Sequence, residues 1–155
     1  SDYNETKIES SQLRSSRPLT LSLSNFSKFV PGKKISFVFI ESPKSFSNSR
    51  AKMIFNSICQ EFYEMRLSDD GKFLNPVQFY RIQYQYDNFK LPSADSFPTF
   101  AIFKPFDKQS IVFNQILTAT NLRNWIFKHA SKNEELISKN VTENVVQSNK
   151  KAKNC

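Results

Sequence analysis

The alternation of hydrophobic and polar positions changes period several times between Leu19 and Ala130, and each change marks an element. Leu19-Thr20-Leu21-Ser22-Leu23 alternates strictly, the pattern of a half-buried strand. Ser24 or Asn25 is placed to cap a short helix carrying Phe26, Phe29 and Val30, which Pro31-Gly32 stops. Ile35-Ser36-Phe37-Val38-Phe39-Ile40 is almost wholly apolar and about the length of a strand. A run without alternation suits a strand buried on both faces, in the middle of a sheet covered by helices. Glu41 to Asn48 is polar, rich in Pro and Ser, and reads as a turn. Ala51, Phe55, Ile58, Cys59 and Phe62 then recur at helical spacing as far as about Met65, with Arg50, Lys52, Gln60, Glu61 and Glu64 off the stripe.

Ser68-Asp69-Asp70-Gly71-Lys72 reads as a loop, and Val77 to Tyr84 as the next strand. Asp87 to Ser96 is short and holds Pro92, so it allows no more than a turn or two of helix. Phe97-Pro98-Thr99 leads into the apolar run Phe100-Ala101-Ile102-Phe103, which ends near Lys104-Pro105. A proline cannot sit inside a central strand but is tolerated at its entry, where the preceding bond can be cis at a cost of only about 0.5–1 kcal/mol. Asp107-Lys108-Gln109 makes a turn and Ile111-Val112-Phe113 a short edge strand. Thr120 or Asn121 caps a last helix bearing Leu122, Trp125, Ile126 and a partly buried His129. The pattern therefore predicts one domain over residues 18–130, preceded by a flexible arm, 1–17. A polar, basic tail, 131–155, follows, with a marginal helix around Leu136, Ile137, Val141, Val145 and Val146 and disorder from Gln147.

Composition adds three things. The core must be rich in phenylalanine, which occurs 16 times against a single Trp. With only two glycines, turns needing positive φ have to be few or built from Asn and Asp. The net charge of +8 reads first as solubility plus a lysine-bearing tail, and alternatively as attraction to acidic partners, through the tails, or to membranes. Nucleic acid is disfavoured, because the aromatics fall on strand and helix positions that core packing already explains. No apolar run approaches the roughly 18–20 residues that span a bilayer, so no transmembrane segment is expected. Asn4, Asn25 and Asn140 open glycosylation sequons, which permit a secretory location without establishing one.

The order β-α-β-α-β-(α)-β-β-α, with Phe97-Pro98-Thr99 before a strand, resembles the thioredoxin-like superfamily over roughly residues 19–130, and within it a domain of the protein disulfide isomerase type. The resemblance implies an α/β fold with a central mixed sheet of about five strands flanked by helices, and a cis-proline at Pro98. It also implies a redox motif C-x-x-C at the end of the buried strand, on the N-terminus of the following helix. The helix dipole there lowers the first thiol's pKa and favours thiolate attack. One alignment sets Ser42-Pro43-Lys44-Ser45 on the motif, and a second sets Lys44-Ser45-Phe46-Ser47 there. A longer loop, as in oligosaccharyltransferase subunits of this fold, brings Ser47 to Arg50 into place. No register supplies a cysteine, although Ser42 and Ser45 keep the C-x-x-C spacing.

Dithiol exchange at this position is excluded for this chain, because a serine hydroxyl is not appreciably ionised near neutral pH and forms no disulfide. Of the two cysteines, Cys59 lies on the apolar stripe of its helix and reads as a buried structural thiol, and Cys155 closes the sequence. A single histidine and no clustered cysteines leave no local metal site, and no cofactor is implied. His129 and the acidic pairs Asp69-Asp70 and Glu134-Glu135 are adequately explained by packing and by solvated charge.

The expected function is therefore binding without redox chemistry, in a chaperone or adaptor role. A peptide or protein partner would sit in the crevice between the degenerate motif loop (Ser42, Pro43, Lys44, Ser45, Phe46 and Ser47) and Phe97-Pro98-Thr99. The family resemblance alone points to the endoplasmic reticulum lumen or the secretory pathway, with the cytosol left open. Two alternatives have different signatures: a scaffold acting through its basic surface and tails, and a thiol enzyme using Cys59.

Overall fold

The structure, a computed structural model, describes residues 18–84 and 96–132. The expected arm 1–17, the segment 85–95 and the tail from 133, including Cys155 and the sequons at Asn4 and Asn140, lie outside the described residues.

Eight elements follow in chain order: β1 (Leu19–Leu21), α1 (Leu23–Phe29), β2 (Ile35–Glu41), α2 (Asn48–Leu67), β3 (Val77–Gln83), β4 (Thr99–Phe103), β5 (Ser110–Val112) and α3 (Ala119–Ala130). The strands form one mixed sheet in the order β1-β3-β2-β4-β5. β2 runs parallel to β3, and β3 parallel to β1; β4 is antiparallel to both β2 and β5. β2 thus lies in the middle, and all seven of its residues are buried, as its unbroken apolar run requires.

Period two along the strands divides the core into two layers. On one face Phe37, Phe39, Phe79, Phe100 and Ile102 meet the stripe Ala51, Phe55, Ile58 and Phe62 of α2 and the residues Leu122, Trp125 and Ile126 of α3. On the other face Val38, Ile40, Tyr80, Ile82 and Phe103 pack with Leu21 and Val30, partly covered by Phe26 and Phe29 of α1. The phenylalanine excess is spent on the first layer. Phe37 alone has ring centroids 5.6–6.0 Å from those of Phe55, Phe79, Phe100 and Trp125.

Helix ends differ from the sequence expectation in a consistent direction. α1 starts one turn earlier than Ser24 or Asn25 would allow. Ser22 is its N-cap, and Asn25 serves from inside the first turn, its Oδ1 accepting from Ser22 N at 2.8 Å. α3 is capped by Thr118, whose hydroxyl accepts from Asn121 N at 3.0 Å, and not by Thr120 or Asn121. In α3 the upstream Thr118 reaches a free backbone N–H, and in α1 Asn25 reaches back to the N–H of the upstream Ser22. α2 likewise begins at Asn48, ahead of the apolar stripe, and runs on to Leu67. The loop after it contains a 3₁₀ turn, Asp69–Gly71, and β5 is shifted one residue earlier than Ile111–Phe113.

Candidate functional site

The C-terminal ends of β2 and β3, the start of α2 and the entry of β4 come together at one end of the sheet. Register sets the geometry. Ile40 pairs with Thr99, so carrying the same antiparallel register two residues further places Phe97 level with Ser42. The loop 42–47 and the segment Phe97-Pro98-Thr99 are therefore neighbours across the end of the central strand pair. The Phe97–Pro98 peptide bond is cis, as is Val30–Pro31. Thr99 is buried, Pro98 is half-buried, and the ring of Phe97 stacks on Tyr84 with centroids 3.9 Å apart and planes 14° from parallel.

The loop is folded on itself. Ser45 N donates to Ser42 O at 2.8 Å, Asn48 N to Ser45 O at 3.2 Å, and Ser42 N to Asn48 Oδ1 at 2.7 Å. These bonds hold the loop base against the first residue of α2 and turn Pro43, Lys44 and Phe46 outward, all exposed. The Phe46 side chain is fully exposed (106% of its reference area), an arrangement that buries nothing. Ile116, at 80%, is exposed in the loop before α3. Arg50 connects that loop to α2, donating from Nη2 to Leu117 O at 2.9 Å.

Of the three registers weighed for the redox motif, only Ser47 to Arg50 falls on the helix N-terminus, with Ser47 as the N-cap residue. Ser42–Ser45 and Lys44–Ser47 lie in the turns before it. The position where helix dipole and free N–H groups would stabilise a thiolate is thus occupied by Ser47, Asn48, Ser49 and Arg50. Cys59 is elsewhere, on the buried side of α2 and 4% exposed. Burial pushes its thiol far above the ordinary value, and the guanidinium groups of Arg66 and Arg81 counteract this only in part. A buried thiol whose pKa is pushed up is a poor nucleophile. Cys59 should therefore stay unmodified by iodoacetamide in the folded protein at pH 8 and react once the chain is unfolded, read by peptide mass. The sign of the pH effect follows. The unfolded thiol ionises from about pH 9 while the folded one does not, so above that pH the Cys59 contribution destabilises the fold. Cys59→Ala should flatten that alkaline loss.

One feature of this end was not legible as a site from sequence. Glu41, read there as the first residue of a polar turn, is the last residue of β2 and only 3% exposed. Its carboxylate receives a fork from Arg81 of β3: Nη2 donates to Oε1 at 3.0 Å and to Oε2 at 2.9 Å, and Nε to Oε2 at 3.3 Å. A charged residue closing a wholly apolar buried strand was the available signal, since a buried carboxylate needs a partner. His129, by contrast, is at the far end of the molecule, half-buried with its ring edge-on to Trp125 at 5.5 Å. Among the described residues no three His, Cys, Asp or Glu side chains cluster as metal ligands, and no helix is long and apolar enough to cross a membrane.

Sheet order, helix placement and the site at the end of β2 define a thioredoxin-like α/β domain in which no cysteine pair is present at the motif position. Comparison with solved structures gives the same class. The J-Trx1 fragment of ERdj5 superposes with a TM-score of 0.56 at 15% identity, over 72% of this chain and 49% of that one. Zinc-bound human ERp44 gives 0.57 at 13% identity, over 72% and 32%. The long form of thioredoxin f from spinach chloroplast gives 0.52 at 14%, over 76% and 90%. The chain thus spans half or less of the ERdj5 fragment and of ERp44, and at these identities the likeness concerns the fold. No protein-family model and no curated protein sequence matches it.

Proposed function

We propose that this domain is a redox-silent member of its fold class that binds an extended peptide or an unfolded protein segment. The crevice would lie between residues 42–47 and Phe97-Pro98-Thr99. The reading rests on one observation. The end of the sheet where a thioredoxin-like enzyme keeps its thiols has hydroxyl, amide and guanidinium groups instead, yet displays a fully exposed Phe46. That ring is the apolar group this loop can offer to a ligand.

The mode follows from the strand register. Pairing of β4 with β2 begins at Thr99, so the backbone of Phe97 lies beyond the ladder and can pair with an added extended segment. Phe46 and Ile116 would take apolar side chains of that segment, and Lys44 would favour an acidic one. Binding then needs no chemistry at Ser47.

The test is a titration of the isotope-labelled full chain with an unstructured peptide rich in aromatic residues. Amide shifts are expected at Ser42, residues 44–47, Ser96, Phe97 and residues 114–117. Phe46→Ser should weaken binding by about ten-fold, the scale of a lost interface aromatic, and leave the melting temperature unchanged. Shifts confined to other surfaces, or full affinity in Phe46→Ser, would overturn the reading.

A further inference from the structure

A second cavity, of about 330 Å³, lies at the opposite end of the sheet, where β2 and β3 begin and α2 ends. It is independent of the crevice described above. Phe62, Met65, Leu74 and Val77 give it apolar walls. One side is shaped by a tight approach: a Cβ on Gly71 would lie 2.9 Å from the Met65 carbonyl oxygen, so only glycine lets the 3₁₀ turn sit this close to the helix end.

Arg66 and Lys72 bring positive charge to this apolar setting. Lys72 is answered by Asp69 at 3.4 Å, both well exposed. Arg66 is not answered in this way. It is half-buried, its Nη2 donates to the Val77 carbonyl, and no carboxylate among the described residues pairs with it. Of the acids close to it in sequence, Glu61 pairs with Arg123, Glu64 accepts from Gln60 and Asp69 pairs with Lys72. Burial lowers the Arg66 pKa, and the neighbouring Cys59 offsets this in part. A guanidinium has five N–H donors in a planar fork, and here one carbonyl accounts for its bonding within the described chain. Gln78 also borders the cavity, while its side chain, alternating with Val77 and Phe79, belongs to the other face of the sheet. The site therefore offers a donor fork matched to a carboxylate and an apolar bed beside it.

We propose that this cavity binds an acidic side chain followed by apolar residues in a peptide segment of a partner protein, with Arg66 holding the carboxylate. The volume is roughly that of ten waters, which suits two or three side chains. A net charge of +8 on the chain draws acidic segments toward it. A phosphate group fits less well, since the apolar walls of Phe62, Met65, Leu74 and Val77 offer it nothing.

The chain's own Glu134-Glu135-Leu136-Ile137 has related chemistry. It follows shortly after Lys132, whose N–H donates to Phe73 O at 2.9 Å beside the cavity wall. The experiment separates this competitor from a partner. The labelled full chain is titrated with acetyl-Glu-Leu-Ile-amide and, in parallel, with its Gln counterpart. The Glu peptide should give saturable shifts of the Arg66 Nε–Hε signal and of the Gly71 and Gln78 amides, and the Gln peptide should bind about ten-fold more weakly or less. Arg66→Gln should abolish the difference between the peptides, and Arg66→Lys should restore part of it. If Arg66→Gln fails to fold, the Glu–Gln comparison on the unchanged chain still decides. Equal binding of the two peptides, or none, overturns the proposal. So does a chain carrying Glu134→Gln and Glu135→Gln whose Arg66 signal moves before any peptide is added, because the occupant is then the chain itself.

Discussion

Phe37→Ala is expected to destabilise the domain by about 3–5 kcal/mol, the cost of truncating a fully buried phenylalanine. For a domain whose whole stability is about 5–15 kcal/mol, that is enough to leave a large unfolded fraction on mild heating. The size follows from position. Phe37 is the middle residue of the first core layer, 0% exposed, and its ring meets one ring from α2, one from β3, one from β4 and one from α3. Removing it opens a cavity that four elements border, and none can close it without moving the others. Phe37→Leu should cost less, about 1–1.5 kcal/mol, because volume is mostly kept and ring geometry is lost. The check is the urea midpoint, with Phe46→Ser as control. The control ring is fully exposed and should shift stability by no more than about 0.5 kcal/mol. A Phe37→Ala midpoint equal to that of the control would sink the account of the core.

The contrast between these two phenylalanines explains what could be read in the sequence. Phe37 announces its burial because its strand has no polar position to turn to water. The same logic located β2 at the sheet centre and the α2 stripe opposite it. Elements whose pattern is set by local chemistry were harder. The starts of α1 and α3 are each fixed by a single side-chain hydrogen bond, from Ser22 N to Asn25 and from Asn121 N to Thr118, and several nearby Ser, Thr and Asn residues could have done so equally well. Periodicity locates a helix better than it locates the first turn, where apolar spacing has not yet begun.

The site was legible in a different sense. Residue order placed Phe97-Pro98-Thr99 before a strand and showed that no register brings a cysteine to the motif. It could not choose among registers, because that depends on where α2 begins, and the Asn48–Ser42 bond that fixes the loop is a three-dimensional fact. The apolar cavity near Arg66 was invisible for the same reason. Its walls come from the end of one helix, a turn and the start of a strand, and no sequence period connects them.

Arg81→Met should reveal how the candidate crevice is supported. Glu41 is 4% exposed at its side chain and Arg81 24%, so the pair is shielded from solvent far more than a surface ion pair. Within it, three hydrogen bonds satisfy both carboxylate oxygens. Taking away the arginine leaves an ionised group in a core position without a partner, a change that costs about 3–5 kcal/mol. Methionine keeps most of the volume, so the loss reports charge and not a cavity. The converse makes the test specific. Glu41→Leu together with Arg81→Met removes both charges and should recover to within about 1 kcal/mol of the parent, since apolar replacement of a buried pair is often neutral. Such a cycle separates the pair from the bulk of each side chain. A second reading is local. Glu41 precedes Ser42, and its carbonyl accepts from Tyr84 N at 2.7 Å, next to the Tyr84–Phe97 stack. Unpairing Glu41 should therefore speed amide exchange at Ser42, Ser45 and Tyr84 before it affects α3. If Arg81→Met is as stable as the parent, or loosens the whole domain uniformly, the ion pair is not what holds the loop and the Phe97 segment together.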